Sequence, residues 1–356
     1  MATPEDLALN NPIILTKILQ HPSISLGNVR VVCKLWNDIV LSLPNTRLAF
    51  RQFDECFQDN DQELKDFKAD PFYFFERCSI LDARLARAIT ASCDTSDIQD
   101  PVEAIAYLYS FGAKLMHFCD KFSEIVQILD ISIHSEHCLR YVYLALKNHL
   151  PNLKELRINC YIGALEARID QPGALAPKPK LALFALICRL KEDTPFVTSL
   201  ARRVIKASSN LREVTLPWGF HPDLSRSKCL DTLRIALDDI KGKDVVYFNG
   251  SELGRMLNQV ADQLVTLSFG EDDESWDFLE PGTWNRMAFR FPRRMQRLKT
   301  YRNLMIDVLE CTEILNDIEK MPVLETLVLG KSTATWSSCL VEILQNISKS
   351  GRILGT

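Results

Sequence analysis

The hydrophobic positions of this chain repeat a short signature: an apolar residue, two others, an apolar residue, one other, and a third apolar residue. Val126, Leu129 and Ile131 form the first copy, and Leu153, Leu156 and Ile158 the second. Leu181, Phe184 and Leu186 follow, in a stretch that fits a helix equally well. Later copies are Leu211, Val214, Leu216; Leu230, Leu233, Ile235; and Leu264, Leu267, Phe269. A worn copy starts at Leu298, and the last is Leu324, Leu327, Leu329. Successive copies start about 19 to 34 residues apart. Within a copy the alternation predicts a short strand. Between copies, amphipathic patterns predict helices over His137 to His149, Phe196 to Ala207, Ser251 to Leu264, Glu313 to Lys320 and Ser337 to Ser348. One strand and one helix cannot bury their own apolar faces, but stacked neighbours can. The expected fold is α/β: a solenoid with parallel strands on one face and helices on the other. A generic α/β domain with parallel strands is the plainer alternative.

The N-terminal pattern differs. Asn11 can cap a helix, and Pro12 at the first helical position loses no hydrogen bond. Ile14, Leu15, Ile18 and Leu19 recur at helical spacing. His21-Pro22 ends that helix, since the residue before proline is pushed out of helical geometry. Val29, Val32, Cys33, Trp36 and Ile39 form a second stripe, closed by Leu43-Pro44. The expectation is a helical hairpin with more apolar surface than a module this small can bury alone. It is compatible with an N-terminal cap on the solenoid.

Residues 51–120 read as a helical linker or as degenerate repeats. Gln58 to Asp66 reads as a loop, Pro71 to Phe75 as a buried aromatic run, and Ile80 to Ile89 and Val102 to Phe118 as helices. Two stretches interrupt the repeats. Gln171 to Lys180 is a Pro/Gly-rich surface insertion. Gly270 to Arg302 opens acidic, with Trp276 and Trp284 among the acids, and turns basic from Arg286 onward, including Arg293 and Arg294.

Composition narrows the function. The chain has 356 residues, 47% of them hydrophobic, and a formal charge of −4. That balance gives no overall pull toward nucleic acid or an anionic membrane, and neither is expected as a partner. No apolar run is long enough to span a bilayer, and Glu5 and Asp6 argue against a signal peptide. Eleven scattered cysteines, an odd number, fit buried free thiols in a reducing compartment better than disulfides or zinc. A cytoplasmic or nuclear location is expected. His134, His137 and Cys138 lack a fourth ligand at fixed spacing, so no metal is expected there. No phosphate loop or nucleophile elbow is present, and neither catalysis nor a cofactor is expected. Binding is the more plausible role. Trp218 and Phe220, directly after one predicted strand, together with Trp276, Trp284, Arg293 and Arg294, are the candidate target-binding residues.

Pro12 with Ile14, Leu15, Ile18 and Leu19, followed by Val32-Cys33-Lys34-x-Trp36-Asn37, resembles an F-box, although Asn11 stands where leucine is usual. The tripartite signature resembles leucine-rich repeats, although Tyr161, Gly219, Asp238, Asp272 and Ser332 stand where that family has Asn or Cys. An irregular solenoid is therefore expected. Together the two resemble an F-box protein with C-terminal leucine-rich repeats, divided into a module over 8–50, an intermediate stretch over 51–120 and a solenoid over 121–350. The resemblance implies a non-catalytic substrate receptor of an SCF-type ubiquitin ligase. Pro12, Ile14, Leu15, Ile18, Leu19, Val32, Cys33 and Trp36 would then make or support the contact with a Skp-type adaptor, and through it a cullin–RING ligase. The repeats would hold an unknown target protein. A repeat scaffold with no ligase role is the alternative.

Overall fold

The structure, a computed structural model, describes residues 9–43 (apart from 22, 25 and 30), 49–54, 75, 78–79, 82–95, 98–161, 173–188, 195–236, 249–270, 291, 294–303 and 320–329. Their centre is a parallel sheet of ten strands in sequence order, with β1 (Ala49–Asp54) at one edge and β10 (Thr326–Leu329) at the other. Between them run β2 (Ala88–Cys93), β3 (Ile128–Ile133), β4 (Glu155–Cys160), β5 (Leu183–Cys188), β6 (Glu213–Pro217), β7 (Thr232–Ala236), β8 (Thr266–Phe269) and β9 (Thr300–Asn303). Such an order, with every neighbour parallel, is consistent with a solenoid-like repeat.

The apolar signature explains the register. Its middle residues align across the sheet: Leu129 pairs with Leu156, then Phe184, Val214, Leu233, Leu267, Tyr301 and Leu327 in turn. Alternate residues of a strand face one side, so the copies from Val126 to Phe269 send their second and third apolar residues into the same core. Most of these side chains are almost wholly buried. Burying one such side chain is worth about 1.5–3 kcal/mol, which is why the signature survives while the rest of each repeat varies. Residues 183–188 are therefore strand, not helix.

Four helices carry the matching apolar stripes: α4 (Pro101–Lys121), α5 (Glu136–Asn148), α6 (Pro195–Ala207) and α7 (Gly250–Val260). Phe111, Leu115 and Phe118 of α4, Leu139 and Leu146 of α5, Leu200 and Val204 of α6, and Leu253 and Leu257 of α7 join the strand residues in one core. Among the described residues, these helices pack on one face of the sheet.

A second repeating device lies just before the strands. The residue ahead of each strand donates its backbone N–H one repeat back, as in Lys154 to Gln127, Ala182 to Lys154 and Arg212 to Ala182. Asparagines extend it: Asn152 Nδ2 donates to the Glu124 carbonyl at 2.7 Å, and Asn210 Nδ2 to the Pro179 carbonyl at 2.8 Å. Lys180 Nζ donates to Asn152 Oδ1 at 2.6 Å. The ladder runs on the approach to the strands, where the Asn of LPN and SSN stands.

Several expectations need correction. Residues 82–89, the described part of the helix expected over 80–89, do not form an α-helix: a 3-10 turn over Ala83–Arg87 leads into β2, where Ile89, Ala91 and Cys93 alternate inward at strand period. The sheet begins with β1 and β2, ahead of the first copy of the signature. The second stripe of the N-terminal module is two helices. A short α2 (Leu26–Val29) ends before extended Cys33, and α3 (Lys34–Ser42) starts afresh after α1 (Pro12–Leu19). Gly27, Asn28 and the β-branched valines nearby are poor helix formers. The Pro/Gly-rich insertion is not wholly surface, since Leu175 and Lys178 are buried. The predicted helix over 337–348, nearly all of that over 313–320, the loop at 58–66 and the aromatics at 71–74 lie outside the described residues.

Among the described cysteines, Cys78, Cys93, Cys119, Cys138, Cys160 and Cys188 are buried free thiols, while Cys33 and Cys229 are exposed. No helix among the described residues is long and apolar enough to cross a membrane.

Candidate functional site: an apolar helical face and an open sheet

The N-terminal module is built as its sequence dictates. Asn11 Oδ1 accepts from the backbone of Ile13 at 2.9 Å and Ile14 at 3.3 Å, satisfying two of the orphan donors that open α1. Leu15 and Leu19 point inward. Leu19 packs with Val40 and Leu43, flanked by Ile24, Leu26, Val29 and Ile39. Leu15 and Leu41 are buried as well. Other aliphatics stay in solvent: Ile13 is 71% exposed, Val31 84% and Val32 59%, with Ile14, Ile18 and Leu9 also exposed. Trp36 is half-buried and its Nε1 donates to the Leu9 carbonyl at 3.3 Å.

The predicted residues therefore divide. Ile14, Ile18 and Val32 are exposed; Leu15 and Leu19 are core; Pro12 and Cys33 sit at helix starts; Trp36 ties α3 to the segment before α1. Ile13 and Val31 extend the exposed set. Helical spacing alone did not single them out, because they fall off the stripe that packs inward.

The module is latched to the sheet. Arg84, in the 3-10 turn before β2, donates from Nη2 to Asp38 Oδ1 of α3 at 2.9 Å and to Asp82 Oδ2 at 2.6 Å. Its Nε also donates to Asp82, at 3.0 Å. The two carboxylates raise the guanidinium pKa further, through hydrogen bonds to Asp82 first and Asp38 second.

Residues 4–48 match the F-box domain. F-box domains bind Skp-type adaptors of cullin–RING ligases, and the match supports a substrate-adaptor role of that general kind for this chain. No curated protein matches the chain.

The open face of the sheet is the second surface. On β5, Leu183, Ala185 and Ile187 alternate away from the main core, Leu183 and Ile187 half-buried and Ala185 buried. Charged pairs flank it. Arg157 on β4 donates to Glu155 at 3.3 Å, and Arg234 on β7 pairs with Glu213 on β6. Asp130, beside Arg157 on β3, has its pKa raised by half-burial, an effect Arg157 partly offsets. Among the described residues no cluster of His, Cys, Asp or Glu could hold a metal ion. His134 lies 3.4 Å from Asp94 and stacks near Tyr161, while Cys138 points into the core.

Trp218 and Phe220 do not belong to this surface. They are 4% and 2% exposed and form part of the core. Gly219, at φ +82°, makes the turn that folds both rings back. A large ring just after a strand reads equally as anchor or lid, and here it is a lid. Trp276, Trp284 and Arg293 lie outside the described residues, and Arg294 is exposed.

Proposed function

We propose that this chain is the substrate receptor of an SCF-type ubiquitin ligase and performs no bond chemistry itself. The exposed aliphatic face of the F-box module would dock on a Skp-type adaptor, and the repeats would hold the target protein. The observation that carries this reading is the division within the module. Leu15 and Leu19 complete its internal core, so Ile13, Ile14, Ile18, Val31 and Val32 remain as a solvent-facing apolar set. Covering such a face in a partner's groove is the usual route to helix-mediated docking. Pro12, Leu15, Leu19, Cys33 and Trp36 would support the interface by fixing the helices.

We infer further that the sheet is an irregular leucine-rich-repeat solenoid over 121–350, preceded by degenerate repeats within 51–120 and by the module over 8–50. The pairing of β1 and β2 in the same sheet supports degenerate repeats over a linker. The target would lie on the open face around Leu183, Ala185 and Ile187, with the loop carrying Trp276, Trp284, Arg293 and Arg294 as a second contact. A cytoplasmic or nuclear location follows from this role.

Co-purification with a recombinant Skp-type adaptor tests the reading. Wild type should bind stably, and an Ile14→Asp, Ile18→Asp variant with unchanged circular dichroism should not. No binding by wild type would leave a repeat scaffold without a ligase role.

A further inference from the structure

The helical side of the solenoid carries a concentration of positive charge that the adaptor and the open sheet face leave unused. Thr198, Ser199, Arg202, Arg203 and Lys206 of α6 line a depression of about 390 Å³. Among the described residues no acidic residue lines it, and α6 contains none. Lys147 of α5 lies alongside: its Nζ stands 5.9 Å from the centre of the Tyr143 ring, and the Arg203 guanidinium 5.5 Å from the same ring.

These cations are held in place. Arg203 Nη1 donates to the Gly173 carbonyl at 2.7 Å, which the Tyr143 hydroxyl also approaches at 3.3 Å. The Arg202 guanidinium lies 5.0 Å from the Phe220 ring. Rings beneath guanidinium groups fix their planes and lower the entropy lost on binding. Among the described residues no carboxylate pairs with Lys147, Arg202 or Lys206. Holding like charges this close costs free energy that an anion would relieve. In a chain of net charge −4, such a patch is a local feature and not a consequence of composition.

We propose that this depression is a binding site for an acidic protein segment, independent of the adaptor-binding face. Its length selects the ligand. From Thr198 to Lys206 the helix advances about 12 Å, too far for one phosphate and suited to several carboxylates in an extended strand. The Ser199 hydroxyl adds a donor on the same face. Nucleic acid fits less well. Tyr143 and Phe220, the rings under the cations, are buried and cannot stack on bases. A lipid surface fits less well too, because none of the exposed large apolar side chains lies on α5 or α6.

The test is fluorescence anisotropy with the full chain and three labelled probes: a peptide carrying a run of glutamates, its glutamine counterpart, and a single-stranded oligonucleotide. The glutamate peptide should bind, weaken with added salt, and weaken roughly tenfold in each of Arg202→Glu and Lys206→Glu, about one charge-assisted hydrogen bond per reversal. Circular dichroism controls for folding, and the milder Arg202→Gln should fall between. A phosphoserine peptide that binds tighter and is lost in the same variants would uphold the site and assign phosphate as its preferred anion. Equal binding of the glutamine peptide, tighter binding of the oligonucleotide, insensitivity to both reversals, or no binding would each overturn the proposal. Adaptor co-purification, measured separately, should be unchanged in these variants.

Discussion

A Cβ on Gly112 would stand 2.4 Å from two ring carbons of Tyr141, so α4 and α5 meet with no room for a methyl group between them. Gly112→Ala therefore sets two effects against each other. Alanine favours a helix by about 1 kcal/mol over glycine, whereas overpacking costs about 1–3 kcal/mol. The contact reaches Tyr141 Cγ at 2.5 Å, close to the backbone where the side chain cannot swing aside. A net loss is expected in thermal melts, with recovery in the Gly112→Ala, Tyr141→Ala double variant. Stabilisation by the single change would show that the helices part freely.

Ile18 and Leu19 adjoin in sequence but should separate in behaviour. Leu19→Ala opens a hole in the small cluster with Val40 and Leu43 and should cost about 2–5 kcal/mol of module stability. Ile18→Ala should leave stability within about 0.5 kcal/mol and weaken adaptor binding by about 1–3 kcal/mol. Denaturant titration beside a binding isotherm distinguishes them. Equal stability losses would mean that α1 buries both faces.

Much of this was legible in the chain. The tripartite signature falls on eight strands and much of the core, although at Leu181, Phe184 and Leu186 it fitted a helix equally well, because burial on one side of a stacked sheet tolerates little but aliphatic residues. Helix α4 was legible over Val102 to Phe118 from its apolar stripe, and the Asp100 cap and Pro101 that start it are seen in the structure. The losses have physical causes. Residues 88–93 combine alanines and a cysteine with one isoleucine, too little side-chain bulk to mark a strand. The rings of Trp218 and Phe220 carry no sign of which way they turn, and only the left-handed Gly219 decides it. The α6 cations were hidden because Arg202, Arg203 and Lys206 look like any solvated helix surface until the neighbouring helices are in place.

Lys178 gives a pH signature. Its Nζ donates to the carbonyls of His149 at 2.5 Å and Leu150 at 3.2 Å, closing the C-terminal end of α5. Burial lowers its pKa from 10.5 to about 8, and burial pushes the nearby Cys119 thiol up to about 12. Between about pH 8 and 10.5 the unfolded chain thus holds a proton on Lys178 that the folded chain has released, so this lysine's contribution to stability rises with pH across that window, while the raised Cys119 thiol acts in the opposite direction above about pH 9. The slope is at most about 1.4 kcal/mol per pH unit. Wild type should gain on Lys178→Met as pH rises from 8 to 10, read by chemical denaturation. Parallel curves would show the lysine charged throughout.

Arg84→Ala cuts the link between Asp38 of the module and Asp82 of the sheet. All three side chains are partly exposed, so the stability change should stay under about 1 kcal/mol. Hydrogen exchange in α3 should nevertheless quicken, since its tie to the sheet is gone. Unchanged exchange would show that apolar packing alone seats the module.

Trp218→Ala should cost about 3–5 kcal/mol, seen as a lower melting temperature, because the ring fills the core between β6 and the turn after it. A mild effect, with loss of a protein ligand instead, would return the residue to the surface.

Because strand order repeats chain order, each strand's earlier neighbour has always been synthesised already. No strand waits for a distant segment to complete its ladder. The sheet can therefore lengthen one strand at a time as the polypeptide leaves the ribosome, with the N-terminal module formed first. A ribosome stalled late in translation would hold a shorter sheet already standing on a finished module.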